Sequence, residues 1–363
     1  MASSNPKPVV LITGSEGLIG DQLVKSFSGE FEVSSFDIER PNKNPEIGDF
    51  IHCDLTKEES VLEALKTLQE RRGNRIASVM HLAAYYDFSG EPSPMYDELT
   101  VEGTRRLIRG LRESFEVEQF IFSSTLLAMK PSEDDEPLTE KSPLRAEWLY
   151  PKSKLQTERV IAEERGDMKA AILRIGGVYD EQGHSLPIAQ QIRRIYEKQL
   201  ESYVFPGDPT TGQAFVHLRD LTDCFRRTVE RRNDLDDYEI FLIAEPDVVS
   251  YDTLQDLIGD QIHGHDWVTI RIPKTIAKAG AWAMDRFSGG DDQSFIKPWM
   301  IDLADDNYPV SMEKARAKLG WQPRYRLRTT LPAIISSLKN DPEAWYRENG
   351  FEAPPVEKQK ANR

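Results

Sequence analysis

Residues 9–20 read VVLITGSEGLIG. Val9 to Thr13 form a β-branched, apolar run of the kind that makes a buried parallel strand. Glycines follow at 14, 17 and 20, while Leu18, Ile19, Leu23 and Phe27 repeat with helical spacing. A pyrophosphate needs bare backbone close by and helix N–H groups aimed at it. Gly14 permits the tight turn, Gly17 the close approach, and Gly20 the packing of helix on strand. A glycine triplet alone says little, but its place after a strand and before a helix predicts a dinucleotide site. Gly14, Gly17, Leu18, Ile19 and Gly20 are its expected residues.

The next strand, Phe31 to Phe36, ends at Asp37, about twenty residues beyond the glycines. A carboxylate there accepts hydrogen bonds from ribose hydroxyls and repels a 2′-phosphate, which favours NAD over NADP. Arg40 pulls the other way, since a guanidinium can receive that phosphate, but the strand-end position of Asp37 carries more weight. Asp54, after the strand Phe50 to Cys53, is a candidate adenine contact.

Further along, apolar strands and amphipathic helices alternate. Lys57–Gln69, Met95–Phe115 and Ala146–Arg165 read as helices, and Ile76–Leu82, Glu118–Ser123 and Met168–Ile175 as strands. That rhythm implies right-handed crossovers and a doubly wound parallel sheet, an α/β Rossmann architecture. After residue 176 the pattern becomes irregular, with Pro187, Pro206, Gly207, Pro209 and Gly212. We expect a dinucleotide-binding domain over 1–176, with 214–245 returning to it. A smaller, interleaved substrate-binding region follows over 177–349, and then a tail over 350–363. Helices are expected near 219–231, 251–262, 273–287, 311–319 and 329–339.

The charge balance narrows the partners. The chain has 61 acidic against 46 basic side chains, a formal net charge of −15 over 363 residues. That field disfavours nucleic acid and anionic membrane. No apolar run has membrane-spanning length, and the N-terminus lacks the pattern of a secretion signal, so the cytosol is the expected compartment. Cys53 and Cys224 stand apart and read as free buried thiols. His184 and His217 have no partners at metal-ligand spacing, and no metal is expected.

LYPKSK at 149–154 places Tyr150 and Lys154 about one helical turn apart. With TGSEGLIG at 13–20, CDL at 53–55, HLAA at 81–84, VEGT at 101–104, FIFSST at 120–125, YPKSK at 150–154, LRIGGVYD at 173–180, FVHLRDL at 215–221 and LGWQPRYRL at 319–327, the chain resembles the extended short-chain dehydrogenase/reductase family, the NAD-dependent epimerase/dehydratase-like group. The resemblance covers roughly residues 8 to 340 and rests on the order of the motifs. It implies Tyr150 as catalytic acid/base, Lys154 as its partner and Thr125 as a hydrogen-bond donor to the substrate oxygen. It adds Asp54, Leu55, Leu82, Ala83, Ala84, Tyr150 and Lys154 to the cofactor site. A phenol is a poor base at neutral pH, and a neighbouring ammonium with an oxidised nicotinamide would lower its pKa. Lys152 reads as solvent-facing. The resemblance also implies a homodimer through the helices near 95–115 and 146–165.

Departures from the family pattern bear on the substrate. Thr100 stands where an asparagine is usual. Nucleotide-sugar members carry an asparagine at Gly177 and an arginine near Gln213, both of which hold the sugar diphosphate, although Arg193, Arg194 or Lys297 can substitute. Leu126 and Leu127 replace the acidic pair of the 4,6-dehydratases. Leu126, Gly177 and Tyr85, with Tyr86, Asp87 and Phe88 beside it, are candidate substrate residues, and the apolar stretches 279–290 and 295–300 a candidate lid or, equally, an interface or membrane-surface contact. These features favour an NAD-dependent oxidoreductase acting on a secondary alcohol or ketone of a small to medium, partly apolar substrate. The alternatives are a nucleotide-sugar epimerase with tightly bound NAD and a non-catalytic NAD(P)-sensing module.

Overall fold

A computed structural model describes residues 7–39, 48–87, 90–287, 298–352 and 354. Seven parallel strands form the central sheet: β1 (Val9–Thr13), β2 (Glu32–Asp37), β3 (Asp49–His52), β4 (Ser78–His81), β5 (Gln119–Thr125), β6 (Lys169–Ile175) and β7 (Tyr238–Ile243). They lie in the order β3-β2-β1-β4-β5-β6-β7. The order reverses between β1 and β4, the switch point at which ligands of open α/β sheets bind.

The inner strands are rich in apolar residues because both faces are covered. Successive side chains alternate between faces. Val10 and Ile12 pack with Leu23 and Phe27 of α1 (Leu18–Phe27) and Phe225 of the helix Leu218–Glu230. Leu11 and Val79 face the opposite way, onto Leu65 of α2 (Glu58–Arg72), Leu107 and Ile108 of α3 (Glu102–Ser114) and Ile161 of α4 (Leu149–Glu164). Burying one such aliphatic side chain contributes ~1.5–3 kcal/mol. Both cysteines are free and buried within these layers.

The C-terminal part departs from the sequence reading in places. The irregular stretch after 176 contains a regular helix, α5 (Leu186–Tyr196), with Pro187 in its first turn, where a missing N–H costs nothing. Ile188, Ile192 and Ile195 bury one side of it in a third core with Leu254, Leu331 and Trp345. The run before His217 does not join the central sheet: Phe215–His217 pairs with Gly177–Tyr179. The helix expected at 95–115 opens with a π-helical turn, Tyr96–Val101. The strand expected at 76–82 is split between Arg75–Ile76 and β4. The expected tail begins as fixed structure, since Phe351 packs on Trp345 and Tyr346 and Pro354 is buried. Arg40, Phe88, Lys297 and residues 355–363 lie outside the described residues. No described helix is long and apolar enough to cross a membrane.

Candidate active site

The glycine loop closes β1 onto α1. Gly14 has φ +71°, a left-handed conformation that favours glycine, and a Cβ there would lie 2.8 Å from the Ala83 nitrogen. A Cβ on Gly20 would overlap the Gly14 carbonyl. Gly17 differs, because its Cβ would meet nothing nearer than the Gly14 oxygen at 3.5 Å. No packing within the chain demands a glycine there. Gly17 caps α1 with no side-chain hydrogen bond to the helix N–H groups, at the positive end of the helix dipole. This bare cradle suits a pyrophosphate.

Asp37 ends β2 beside that cradle. Its carboxylate accepts from the Glu16 N–H at 3.0 Å and the Ile38 N–H at 2.8 Å, which fixes its orientation. Asp54 is less available than the sequence suggests. Thr56 donates from both its backbone and hydroxyl, and Lys57 Nζ lies 2.7 Å away. These contacts, led by Lys57, hold its carboxyl down at about 2. Leu55 is a core residue under α3, where Gly103 packs against it. Neither Asp54 nor Leu55 borders the cavity described next.

A cavity of about 840 Å³ runs from the glycine loop into the C-terminal part. Gly14, Gly17, Leu18, Ile19 and Gly20 line one end. Beyond β4 the chain is extended, and its side chains alternate. Leu82, Ala84 and Tyr86 face the cavity, whereas Ala83 packs on the core and Tyr85 turns away onto Tyr96. Ala83 and Tyr85, both read as site residues, thus point away from it. Thr100 takes the structural place expected of an asparagine. Its hydroxyl accepts from the Tyr85 N–H at 2.9 Å, and its carbonyl accepts from Thr104 and Thr157.

Thr125, Tyr150 and Lys154 meet at the middle of the cavity wall. Thr125 is the last residue of β5, and its hydroxyl accepts from the Leu127 N–H at 3.2 Å. Its own proton remains for donation. Tyr150 and Lys154 share one face of α4, with Nζ 5.7 Å from the ring centre. The hydrogen bond of the ammonium does not go to the phenol. Lys154 Nζ instead donates to the Ser123 carbonyl at 2.7 Å and lies 4.7 Å over the Phe122 ring. Burial pushes the Tyr150 phenol up from its ordinary value. It pushes Lys154 down to about 7, against the pull of Glu158 one turn on. Glu158 is itself buried, accepting from Arg174 Nη2 at 2.7 Å and Nε at 3.1 Å, and from the Ser124 hydroxyl. Beneath them His81 bridges Thr13 and Thr104 at 2.7 and 2.8 Å, held neutral by burial, with its pKa at about 3.

A lysine lowered on folding binds fewer protons in the folded than in the unfolded chain between about 7 and its ordinary value. Stability must therefore rise with pH across that window, and the penalty is fully present below it. Substituting Lys154→Met should remove this slope, raising stability relative to wild type at pH 6.5 more than at pH 9.5. Urea unfolding at both pH values checks it, and equal differences would refute the assignment.

The substrate end is mostly apolar. Leu126, Leu127, Gly177 and Phe215 border it. A Cβ on Gly177 would lie 2.7 Å from the Phe215 ring, so that ring fills the space of the usual asparagine. Gln213 donates its amide to the Asp306 carbonyl at 3.1 Å. Arg193 is tied to Glu197 at 2.9 Å and does not border the cavity, while Arg194 does. Trp148 and Trp299 are among the lining residues that the sequence reading did not name as site residues. Trp148 stands two before Tyr150, and Trp299 comes from the stretch read as a lid or a contact surface. His184 also lines the cavity, with Nδ1 2.7 Å from Asp180, and His217 caps the helix Leu218–Glu230.

A model of the NAD dependent epimerase/dehydratase family matches residues 10–244. The chain belongs to that family. It is accordingly an enzyme of a family defined by NAD. Solved structures with the same fold include MoeE5 in complex with UDP-glucose and NAD, at 22% identity and TM-score 0.66 over 91% of this chain and 98% of that one. A UDP-glucose 4-epimerase from Thermotoga maritima with UDP-glucose aligns at 20% identity and TM-score 0.68, covering 92% and 99%. A dTDP-glucose 4,6-dehydratase from Bacillus anthracis in complex with NAD aligns at 16% and 0.67, covering 94% and 99%. At such identities the likeness is one of fold. No curated protein sequence matches the chain.

Proposed function

We propose that this family member transfers a hydride between NAD and a secondary alcohol or ketone, with Tyr150 as acid/base. The observation that carries the reading is the convergence of Thr125, Tyr150 and Lys154 on one cavity with the uncapped glycine cradle. Gly14, Gly17, Leu18, Ile19 and Gly20 would hold the dinucleotide, with Asp37 toward its ribose. NAD, when bound, supplies the hydride acceptor or donor. The Tyr150 phenol exchanges the proton of the substrate hydroxyl. Thr125 donates to the same oxygen and opposes charge build-up on it. Lys154, near its own midpoint at neutral pH, offers positive charge beside the phenol. Leu126 and Leu127 keep water from that oxygen.

Titration of cofactor-free protein with NAD⁺, NADH, NADP⁺ and NADPH tests this first. The NAD forms should bind on the order of tenfold or more tightly than the NADP forms, and Asp37→Ala should shrink the gap. Failure of all four to bind would sink the enzymatic account.

A sugar epimerase is the second reading, favoured by the nucleotide-sugar complexes among the similar folds. The filled space at Gly177 and the occupied Gln213 amide weigh against it. NAD that stays bound and unchanged through purification and turnover would decide for the epimerase. A cytosolic homodimer joined through α3 and α4 completes the proposal. The exposed faces of those helices carry Arg109, Arg112, Lys152 and Arg159, so such a contact would be polar.

A further inference from the structure

Two aromatic side chains that the acid/base reading leaves unused adjoin the Tyr150 ring, and a third adjoins one of them. Tyr86 meets it edge-on, with centroids 4.9 Å apart and an interplanar angle of 77°. Trp148 lies 5.5 Å from it at 37°. Trp299, from the helical turn Pro298–Asp302, extends the wall, 4.9 Å from Trp148 at 31°. Its indole occupies the place of a side chain that Gly90 lacks: a Cβ there would lie 2.7 Å from Trp299 Cε2, and Gly90 has φ +73°. Three separate segments thus build one aromatic wall, and all three residues border the cavity.

The polar lining residues His184, Gln191, Arg194 and Asn349 come from C-terminal elements rather than from the segments that carry these rings. Thr125 and Tyr150 serve the reacting oxygen, and the Gln213 amide is taken by Asp306. Among the described residues, the carboxylates that border the cavity are Glu201 and Glu348, both on C-terminal elements away from β5 and α4. A sugar brings hydroxyls on the carbons next to the reacting one, and a hydroxyl set against the faces of these rings would lose water without gaining a partner. A flat apolar ring loses nothing and gains stacked and edge contacts.

We propose that Tyr86, Trp148 and Trp299 select a substrate whose reacting carbinol carries an aromatic or similarly flat apolar ring. This rests on Tyr150 as acid/base and goes further by naming the substrate class. An aryl carbinol loses its carbinol C–H as hydride to NAD⁺ and its O–H proton through Tyr150 to solvent. The products are the aryl ketone, NADH and one proton.

Two readouts test it. For NAD⁺-dependent oxidation, kcat/KM for 1-phenylethanol should exceed that for sec-butanol by on the order of tenfold or more. Trp299→Ala should cut that ratio about tenfold, mainly through KM, and Trp299→Phe should restore much of it. Independently of turnover, acetophenone should quench tryptophan fluorescence saturably in the NADH complex, and more weakly in Trp299→Ala. Oxidation of both alcohols without preference for the aryl compound would overturn ring selection and leave the alcohol reading standing. Full turnover in Tyr150→Phe would overturn the acid/base reading while the quenching still reported on the ring site. Absence of saturable quenching, or binding of UDP-glucose in preference to acetophenone, would overturn the proposal outright.

Discussion

Tyr150→Phe is expected to lower kcat by about 10²–10⁴-fold, the usual worth of a positioned acid/base group. The substitution removes one oxygen and keeps the ring that meets Tyr86 edge-on and Trp148 at a tilt. Burial already disfavours the phenolate in the free protein, so removing the hydroxyl should leave thermal stability unchanged or slightly higher. The comparison is single-turnover hydride transfer in wild type and variant, with the melting temperature as the control. Loss of activity together with a large fall in melting temperature would point to a structural role. Unchanged hydride transfer would remove Tyr150 from the chemistry.

Glu158→Ala should destabilise the fold by ~3–5 kcal/mol, the usual result of breaking a buried ion pair by removing one partner. Both members are nearly inaccessible, at 6% for Glu158 and 3% for Arg174. The variant leaves the Arg174 guanidinium without its counter-charge, and the Ser124 hydroxyl loses its acceptor. Replacing both partners with apolar residues, as in Glu158→Met with Arg174→Leu, should recover most of the loss. Urea unfolding of wild type, Glu158→Met, Arg174→Leu and the double variant forms a double-mutant cycle that measures the coupling. A single-variant loss below about 1 kcal/mol would show that water reaches the pair. Glu158 also raises Lys154. In the single variant Lys154 should therefore titrate lower still, and any activity that depends on its charge should shift to lower pH.

The central architecture is legible in the sequence because both of its signals are local. Apolar runs such as Val9–Thr13 predict fully buried strands, and the helical spacing of Leu23 and Phe27 predicts the face of α1. The glycine loop is equally local, since left-handed backbone at Gly14 and close helix–strand packing at Gly20 leave few alternatives. The misses fall where a local cue has two meanings. Pro187 reads as a breaker in isolation, yet it begins α5 because the first turn of a helix needs no N–H from it. The run before His217 has strand composition, but its hydrogen bonds go to Gly177–Tyr179 rather than to the central sheet.

By itself the sequence determined the doubly wound sheet and its glycine loop, because each follows from chain-local geometry, whereas the Thr125–Tyr150–Lys154 set was named through the resemblance of ordered motifs. Only the tertiary structure decided which side chains reach the cavity. Alternation beyond β4 turned Tyr86 in and Tyr85 out. Thr56 and Lys57 took the Asp54 carboxylate, and Phe215 filled the space beside Gly177. Packing brought Trp148 and Trp299 together across about 150 residues, a contact that no periodicity encodes. It also set the charge balance at Lys154, because desolvation depends on what surrounds a group in space and not on its neighbours along the chain.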